Sequence, residues 1–316
     1  MYKPRYKFWD ENKFPNFRDS LDRIYNDSYD NYINGHDVLV GSELKTLEDF
    51  MFGLETYYLS IIRETITTEK NWNNILNQLS SISLVVIPKK RDIYGATLGT
   101  QVSINPDIED DLKQICIFHE LGHVINNKWK DESTRLSKKI YSDPKNEELL
   151  KSLDINDYKY IKFGFDLLDE VIAQEVAERV DYRLKKKKRP TKEERYNEKL
   201  FNHNPYLSNY TFYGELYDFA YKFVRNLDYV STTKNCKEDE YMLRFIRRSF
   251  DEDFIKNIGI EITLSDDDKR EKLVTLLACM GKIKAAFYEV AGLNDISEDV
   301  NVERYVNTFN DTIKRR

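Results

Sequence analysis

Five residues in the middle of the chain have the types and spacing of a metal-binding site. The segment His119-Glu120-Leu121-Gly122-His123 places two histidines four residues apart, with a glutamate directly after the first. Residues i and i+4 share one face of an α-helix, so both imidazoles can reach a single ion. Glu120 is turned about 100° around the helix axis, where it can take a proton from a water molecule. The pattern predicts one catalytic Zn²⁺, with His119 and His123 as ligands and Glu120 as general base.

The residues around this motif indicate that its helix is buried. Apolar side chains flank it on nearly all sides; they are Ile115, Cys116, Ile117, Phe118, Leu121, Val124 and Ile125. A solvated helix face does not explain the motif, because polar groups inside a core need partners. Glycine inside a helix costs about 1 kcal/mol relative to alanine. We therefore expect another segment to lie directly against the backbone at Gly122.

A catalytic zinc site needs a third protein ligand and an open fourth position. The metzincin pattern would continue with a glycine and a histidine, but Asn126 and Trp129 occupy those positions. That difference excludes the metzincin class. The remaining histidines, His36 and His203, are candidates for the third ligand, and a glutamate on a second helix is the main alternative.

A helix predicted from about residue 166 to 184 offers Glu170, Glu175 and Glu178. At 100° per residue, its small and apolar side chains fall on one face; they are Ala173, Val176, Ala177, Val180 and Leu184. Glu170 lies at the edge of this face, which suits close packing on the histidine helix, whereas Glu175 and Glu178 point elsewhere. Glu170 is the preferred third ligand, and Glu175 is the next choice.

The elements that must position these residues predict an α+β chain that is mostly helical. The β-branched run at 83–87, stopped by Pro88, predicts a buried strand, and residues 100–105 alternate like a strand with one solvated face. A turn containing Gly95 and Gly99 is expected between them. Helical periodicity covers further segments, at about 42–62, 72–79, 108–126, 213–227, 238–250 and 269–291. No element is predicted for residues 1–40 or 127–160.

The composition bounds the partners and the compartment. With 49 Lys and Arg against 55 Asp and Glu, the net charge is -6, and no nucleic-acid partner is expected. Three scattered cysteines do not form a disulfide framework. The polar N-terminus does not resemble a signal peptide, and no apolar run approaches the ~20 residues of a membrane helix. We expect a cytoplasmic protein without a membrane partner.

The motif at His119–His123, followed by Glu170, Ala173 and Ala177, resembles the gluzincin group of zinc metallopeptidases. Its E-x-x-A-x-x-x-A spacing is similar to that of the ImmA/IrrE-type cytoplasmic peptidases. The resemblance covers about residues 82–185 and implies a zincin-like fold, with a small twisted sheet and an active-site helix. Together with the helical periodicity of the segments on either side, which lie outside the family pattern, it predicts three regions: a helical N-terminal region (1–80), a zincin-like catalytic core (81–200) and a helical C-terminal subdomain (201–316).

The resemblance also implies roles for residues outside the motif. The strand at 100–105 is similar to the edge strand on which zincins bind an extended peptide, and Gln101, Val102 and Ser103 are its expected contacts. Gln174, one turn after Glu170, is expected to accept a hydrogen bond from a zinc-bound histidine.

A donor to the transition state is expected further along the chain, usually a histidine or a tyrosine in this group. His203, Tyr210 and Tyr213 are the candidates, and Tyr213 is preferred because it precedes Gly214 at the start of a predicted helix.

The leading hypothesis is a zinc-dependent metallopeptidase of limited specificity that hydrolyses a protein or peptide substrate. Two alternatives stay open. One is an exported effector or toxin protease acting in the cytosol of another cell. The other is an inactive binding protein that keeps the zincin scaffold.

Overall fold

A computed structural model describes most of the chain. The described residues are 2–3, 5, 17–33, 38–39, 41–65, 75, 77–86, 94–187, 210–230, 238–249, 253–290 and 301–315. The predictions for His36 and His203 lie outside them, as do those for the side chains of Tyr210 and Tyr213. None of the described helices is long and apolar enough to cross a membrane.

The described elements are mostly helices, with one small sheet. In chain order they are α1 (Phe17–Tyr32), α2 (Ser42–Thr65), β1 (Ser83–Val86), β2 (Gly95–Leu98), β3 (Gln101–Ile104), α3 (Asp110–Ile125), α4 (Asn127–Ser142), α5 (Glu147–Ser152), α6 (Tyr158–Leu184), α7 (Tyr210–Val224), α8 (Glu238–Ser249), α9 (Phe254–Leu264), α10 (Asp267–Val290) and α11 (Val302–Lys314). The prediction of a mostly helical α+β chain is confirmed.

The chain divides into two compact units. Unit one contains Met1–Asn127 and Ile172–Arg189, and unit two contains Lys128–Val171 and Pro190–Arg316. Helix α6 is continuous and passes from unit two into unit one between residues 171 and 172. The division of the chain at residues 80 and 200 stays a prediction.

Unit one contains a three-stranded sheet with strand order β1-β3-β2. Strand β3 runs parallel to β1, with Val102 opposite Leu84, and antiparallel to β2, with Val102 opposite Thr97. Leu84, Val102 and Ile104 are fully buried, so one face of the sheet belongs to the core of unit one. Helix α3 packs on strands β2 and β3 and on helix α2.

The predicted edge position of the strand at 100–105 is wrong. Strand β3 is the central strand and is paired on both sides. A strand with two neighbours has no free backbone edge for an added peptide, so Gln101, Val102 and Ser103 cannot bind one in the predicted way.

Residues 95–98 form strand β2 where a turn was expected. Glycine and alanine have low strand propensity, so the segment carries no local strand signal. The turn itself is shorter: Gly99 has φ +64, a left-handed conformation that glycine adopts without strain, and it connects β2 to β3.

Helix α4 lies in the polar stretch for which no element was predicted. Its buried face contains two serines among the apolar residues; this face comprises Trp129, Ser133, Leu136, Ser137 and Ile140. The hydroxyl of Ser133 donates to the carbonyl of Lys130 at 3.1 Å, and that of Ser137 donates to the carbonyl of Ser133 at 2.7 Å. Because these hydroxyls donate to carbonyls of the same helix, the two serines can be buried without another partner. They interrupt the apolar periodicity, so the sequence pattern did not predict this helix.

Candidate metal centre

Helix α3 presents the histidine motif from within the core of unit one. Phe118, Leu121 and Val124 are fully buried on it. The ring of Phe118 stacks on that of Tyr57 from helix α2, with 6.3 Å between centroids. The apolar residues around the motif therefore fix the position of the helix.

Helices α3 and α6 touch at Gly122. A methyl group built on Gly122 would lie 2.8 Å from the Cα and 3.0 Å from the Cβ of Ala173. The prediction of a segment pressed against Gly122 is confirmed, and the residue in contact is Ala173 from the small-residue face of α6. This contact brings the turns of α6 that carry Glu170 and Gln174 to the two histidines.

His119, His123 and Glu170 form a group that could hold a metal ion. Each offers one ligand atom, and these atoms all lie within 4.8 Å of one another. The Nε2 atoms of His119 and His123 are 3.0 Å apart. Two ligands at 2.0–2.1 Å from a tetrahedral ion would be about 3.3 Å apart, so the pair needs only a small adjustment to bind one ion.

Gln174 lies beside the first histidine. Its Oε1 atom is 3.1 Å from Nδ1 of His119. A carbonyl oxygen only accepts hydrogen bonds, so this contact needs a proton on Nδ1 of His119. The Nε2 atom that faces His123 then keeps its lone pair for a metal ion.

The side chain of Glu120 contacts strand β2. This side chain is buried, and the hydroxyl of Thr97 donates to its Oε2 atom at 2.7 Å. A methyl group built on Gly95 would lie 2.8 Å from the Oε1 atom of Glu120. Strand β2 thus holds the carboxylate by the hydrogen bond from Thr97, and the lack of a side chain at Gly95 leaves the space that the carboxylate occupies.

Thr97 and Gly95 are the residues of this site that the sequence analysis missed. A hairpin turn at Gly99 could have indicated them, because it would pair residues 95–98 with the predicted strand at 100–105 just before the motif. Gly95 and Thr97 alternate with exposed Ala96 and Leu98, so they share the face that meets helix α3.

Cys116, one turn before Glu120, is not a candidate ligand. Burial raises the pKa of its thiol well above the ordinary value, and the charge of Glu120 raises it further. The raised pKa favours the neutral thiol, and the metal-ligand group found among the described residues contains His119, His123 and Glu170 but not Cys116.

The other two glutamates of helix α6 lie outside the metal-ligand group. Glu175 is buried, and its Oε2 atom is 3.6 Å from Nη2 of Arg179. Glu178 accepts a hydrogen bond from Nε2 of Gln174 at 3.1 Å. Of the three candidates on this helix, Glu170 is the one that the structure places with the histidines.

No family model, curated protein or solved structure matches the chain. A functional assignment therefore depends on the residues of the site and on their geometry.

Proposed function

We propose that the chain is a zinc-dependent metallopeptidase of the gluzincin type, with a zincin-like fold in the region of the sheet and helix α3. The observation that carries this proposal is the grouping of His119, His123 and Glu170 within 4.8 Å, with Glu120 on the same helix as the histidines. Two imidazoles, one carboxylate and a neighbouring carboxylate that is not a ligand are the donor set of a catalytic zinc site.

The donor set fits zinc. Imidazole nitrogen and carboxylate oxygen are ordinary zinc ligands, and three protein ligands leave a fourth position open. When bound, zinc acts as a Lewis acid towards water and towards the carbonyl group of a substrate. The structure supports a metal site here, and the identity of the metal is part of the proposal.

Glu120 is the proposed general base and acid. Its carboxylate would take the proton of the attacking water and pass it to the leaving amine. The hydroxyl of Thr97 engages Oε2, so that atom is held in place while the other oxygen handles the proton. Because Gly95 has no side chain, it leaves room beside Oε1.

Strand β2 is the proposed binding edge for an extended peptide. Among the described strands it pairs with β3 alone, so no described strand occupies its other edge, where an extended peptide could pair. It also lies against Glu120 through Thr97. This proposal replaces the role that was expected of strand β3.

The test compares wild type with Glu120→Gln by profiling new protein termini across a proteome, with bound zinc measured in parallel. The amide keeps the shape of the side chain but cannot accept the proton, so we expect hydrolysis to fall by about 10²–10⁴-fold with zinc retained. Glu109→Gln is the control, since this exposed glutamate directly precedes the same helix.

Equal termini from wild type and Glu120→Gln would contradict the proposed mechanism. A wild-type protein that binds no zinc and releases no new termini would favour the inactive binding protein instead.

A further inference from the structure

A chain of hydrogen bonds continues from the candidate metal ligand His119 to a carboxylate that the proposed reaction does not use. The Nδ1 atom of His119 is 3.1 Å from Oε1 of Gln174. The Nε2 atom of Gln174 donates to Oε1 of Glu178, also at 3.1 Å. Gln174 and Glu178 are one helical turn apart on α6, and both are half-buried.

The middle residue of this chain can face either way. The amide of Gln174 has an acceptor oxygen at one end and a donor nitrogen at the other, and a half-turn of the amide exchanges them in nearly the same volume. An ionised carboxylate only accepts hydrogen bonds. Glu178 therefore favours the orientation in which the nitrogen of Gln174 faces Glu178 and the oxygen faces His119.

The orientation of the amide determines which nitrogen of His119 carries the proton. An oxygen facing Nδ1 requires the proton there, and Nε2 is then free of it. A reversed amide would point its N–H groups at Nδ1, so the proton of the neutral ring would move to Nε2. A protonated Nε2 cannot bind a metal ion. The Nε2 atom of His119 lies 3.0 Å from Nε2 of His123. The tautomer of His119 therefore decides whether the two histidines can bind one metal ion together.

We propose that Glu178 is a positioning residue: through Gln174 it holds His119 in the tautomer that leaves Nε2 free for a metal ion. The proposal deepens the proposed function, because it rests on His119 being a ligand of the same zinc site. Loss of hydrogen-bond partners behind a metal ligand typically lowers metal affinity by about 10–100-fold.

The first measurement is the tautomer of His119 in the metal-free full-length protein, read from the ¹⁵N chemical shifts of its imidazole at a pH where the ring is neutral. Wild type is expected to carry the proton on Nδ1. Glu178→Leu removes the acceptor and is expected to move a large part of the population to the Nε2-protonated form. Its zinc affinity should fall by about 10–100-fold.

A double variant separates this role from a merely structural one. The double variant Gln174→Glu/Glu178→Gln exchanges the two side chains, so that a carboxylate lies next to His119 and an amide lies at position 178. Both oxygens of the new glutamate accept, so the Nδ1 proton and the zinc affinity should return to near the wild-type level. An account based on packing alone predicts instead that Glu178→Gln by itself, which keeps the shape of the side chain, behaves like wild type.

An unchanged tautomer and unchanged zinc affinity in Glu178→Leu would overturn the inference, as would a double variant that behaves like Glu178→Leu. If the tautomer depends on Glu178 while wild type binds no zinc, the control of the tautomer stands and the proposed zinc site fails.

Discussion

At the scale of residues, Glu120 depends on a side chain that belongs to another element. The side chain of Glu120 is buried, and its Oε2 atom accepts a hydrogen bond from the hydroxyl of Thr97 at 2.7 Å. This hydrogen bond holds the carboxylate in one orientation. Spacing alone predicted His119, Glu120 and His123, because helical geometry relates positions i and i+4 locally. Thr97 had no such signal, since its contact depends on where the hairpin lies against helix α3.

Thr97→Val tests this contact by replacing the hydroxyl with a methyl group of similar size. We expect kcat for peptide hydrolysis to fall about tenfold, which corresponds to about 1.4 kcal/mol, a typical contribution of a hydrogen bond to a charged group. Zinc affinity should stay unchanged, because Thr97 is not a ligand. Thr97→Ser keeps the hydroxyl and should keep most of the activity. An unchanged kcat in Thr97→Val would show that the hydrogen bond does not contribute.

At the scale of elements, the site depends on how closely helices α3 and α6 approach. Gly122 and Ala173 leave no space for an additional carbon atom between the two backbones. This contact could be predicted, because a glycine inside a buried helix and a face of small residues both indicate close packing. The role of strand β2 could not, since its glycine and alanine give no strand pattern and its position is set by pairing with β3.

Gly122→Ala tests how much the close contact between helices α3 and α6 contributes to stability and to zinc binding. Alanine in place of glycine ordinarily stabilises a helix by about 1 kcal/mol. Here the added methyl would lie 2.8 Å from the Cα of Ala173, so we expect the free energy of unfolding to fall by about 1–3 kcal/mol instead. Zinc affinity should fall too, because the helices must separate.

Urea unfolding and zinc titration give the two readouts for Gly122→Ala. Adding Ala173→Gly removes the nearby Cβ at 3.0 Å and should restore part of both losses. A Gly122→Ala protein that is more stable than wild type would refute the close contact.

At the scale of the whole molecule, the class of fold follows from local patterns but the division into units does not. The mostly helical α+β character follows from the periodicities of helices such as α2 and α10. The two units join segments that are distant in the sequence, such as 1–127 with 172–189, and such contacts leave no local signal. Helix α6 begins at Tyr158 rather than near residue 166, and it belongs to both units.

The most direct test of the account is the amount of zinc bound per chain after equilibrium dialysis against buffered zinc. We predict one zinc ion per chain in wild type and in Asp169→Asn, which alters a neighbouring carboxylate on helix α6. In Glu170→Ala, zinc binding should be much weaker, because one of the three ligands is lost. A wild-type protein without zinc would contradict the account, and so would a Glu170→Ala protein that binds zinc as tightly as wild type.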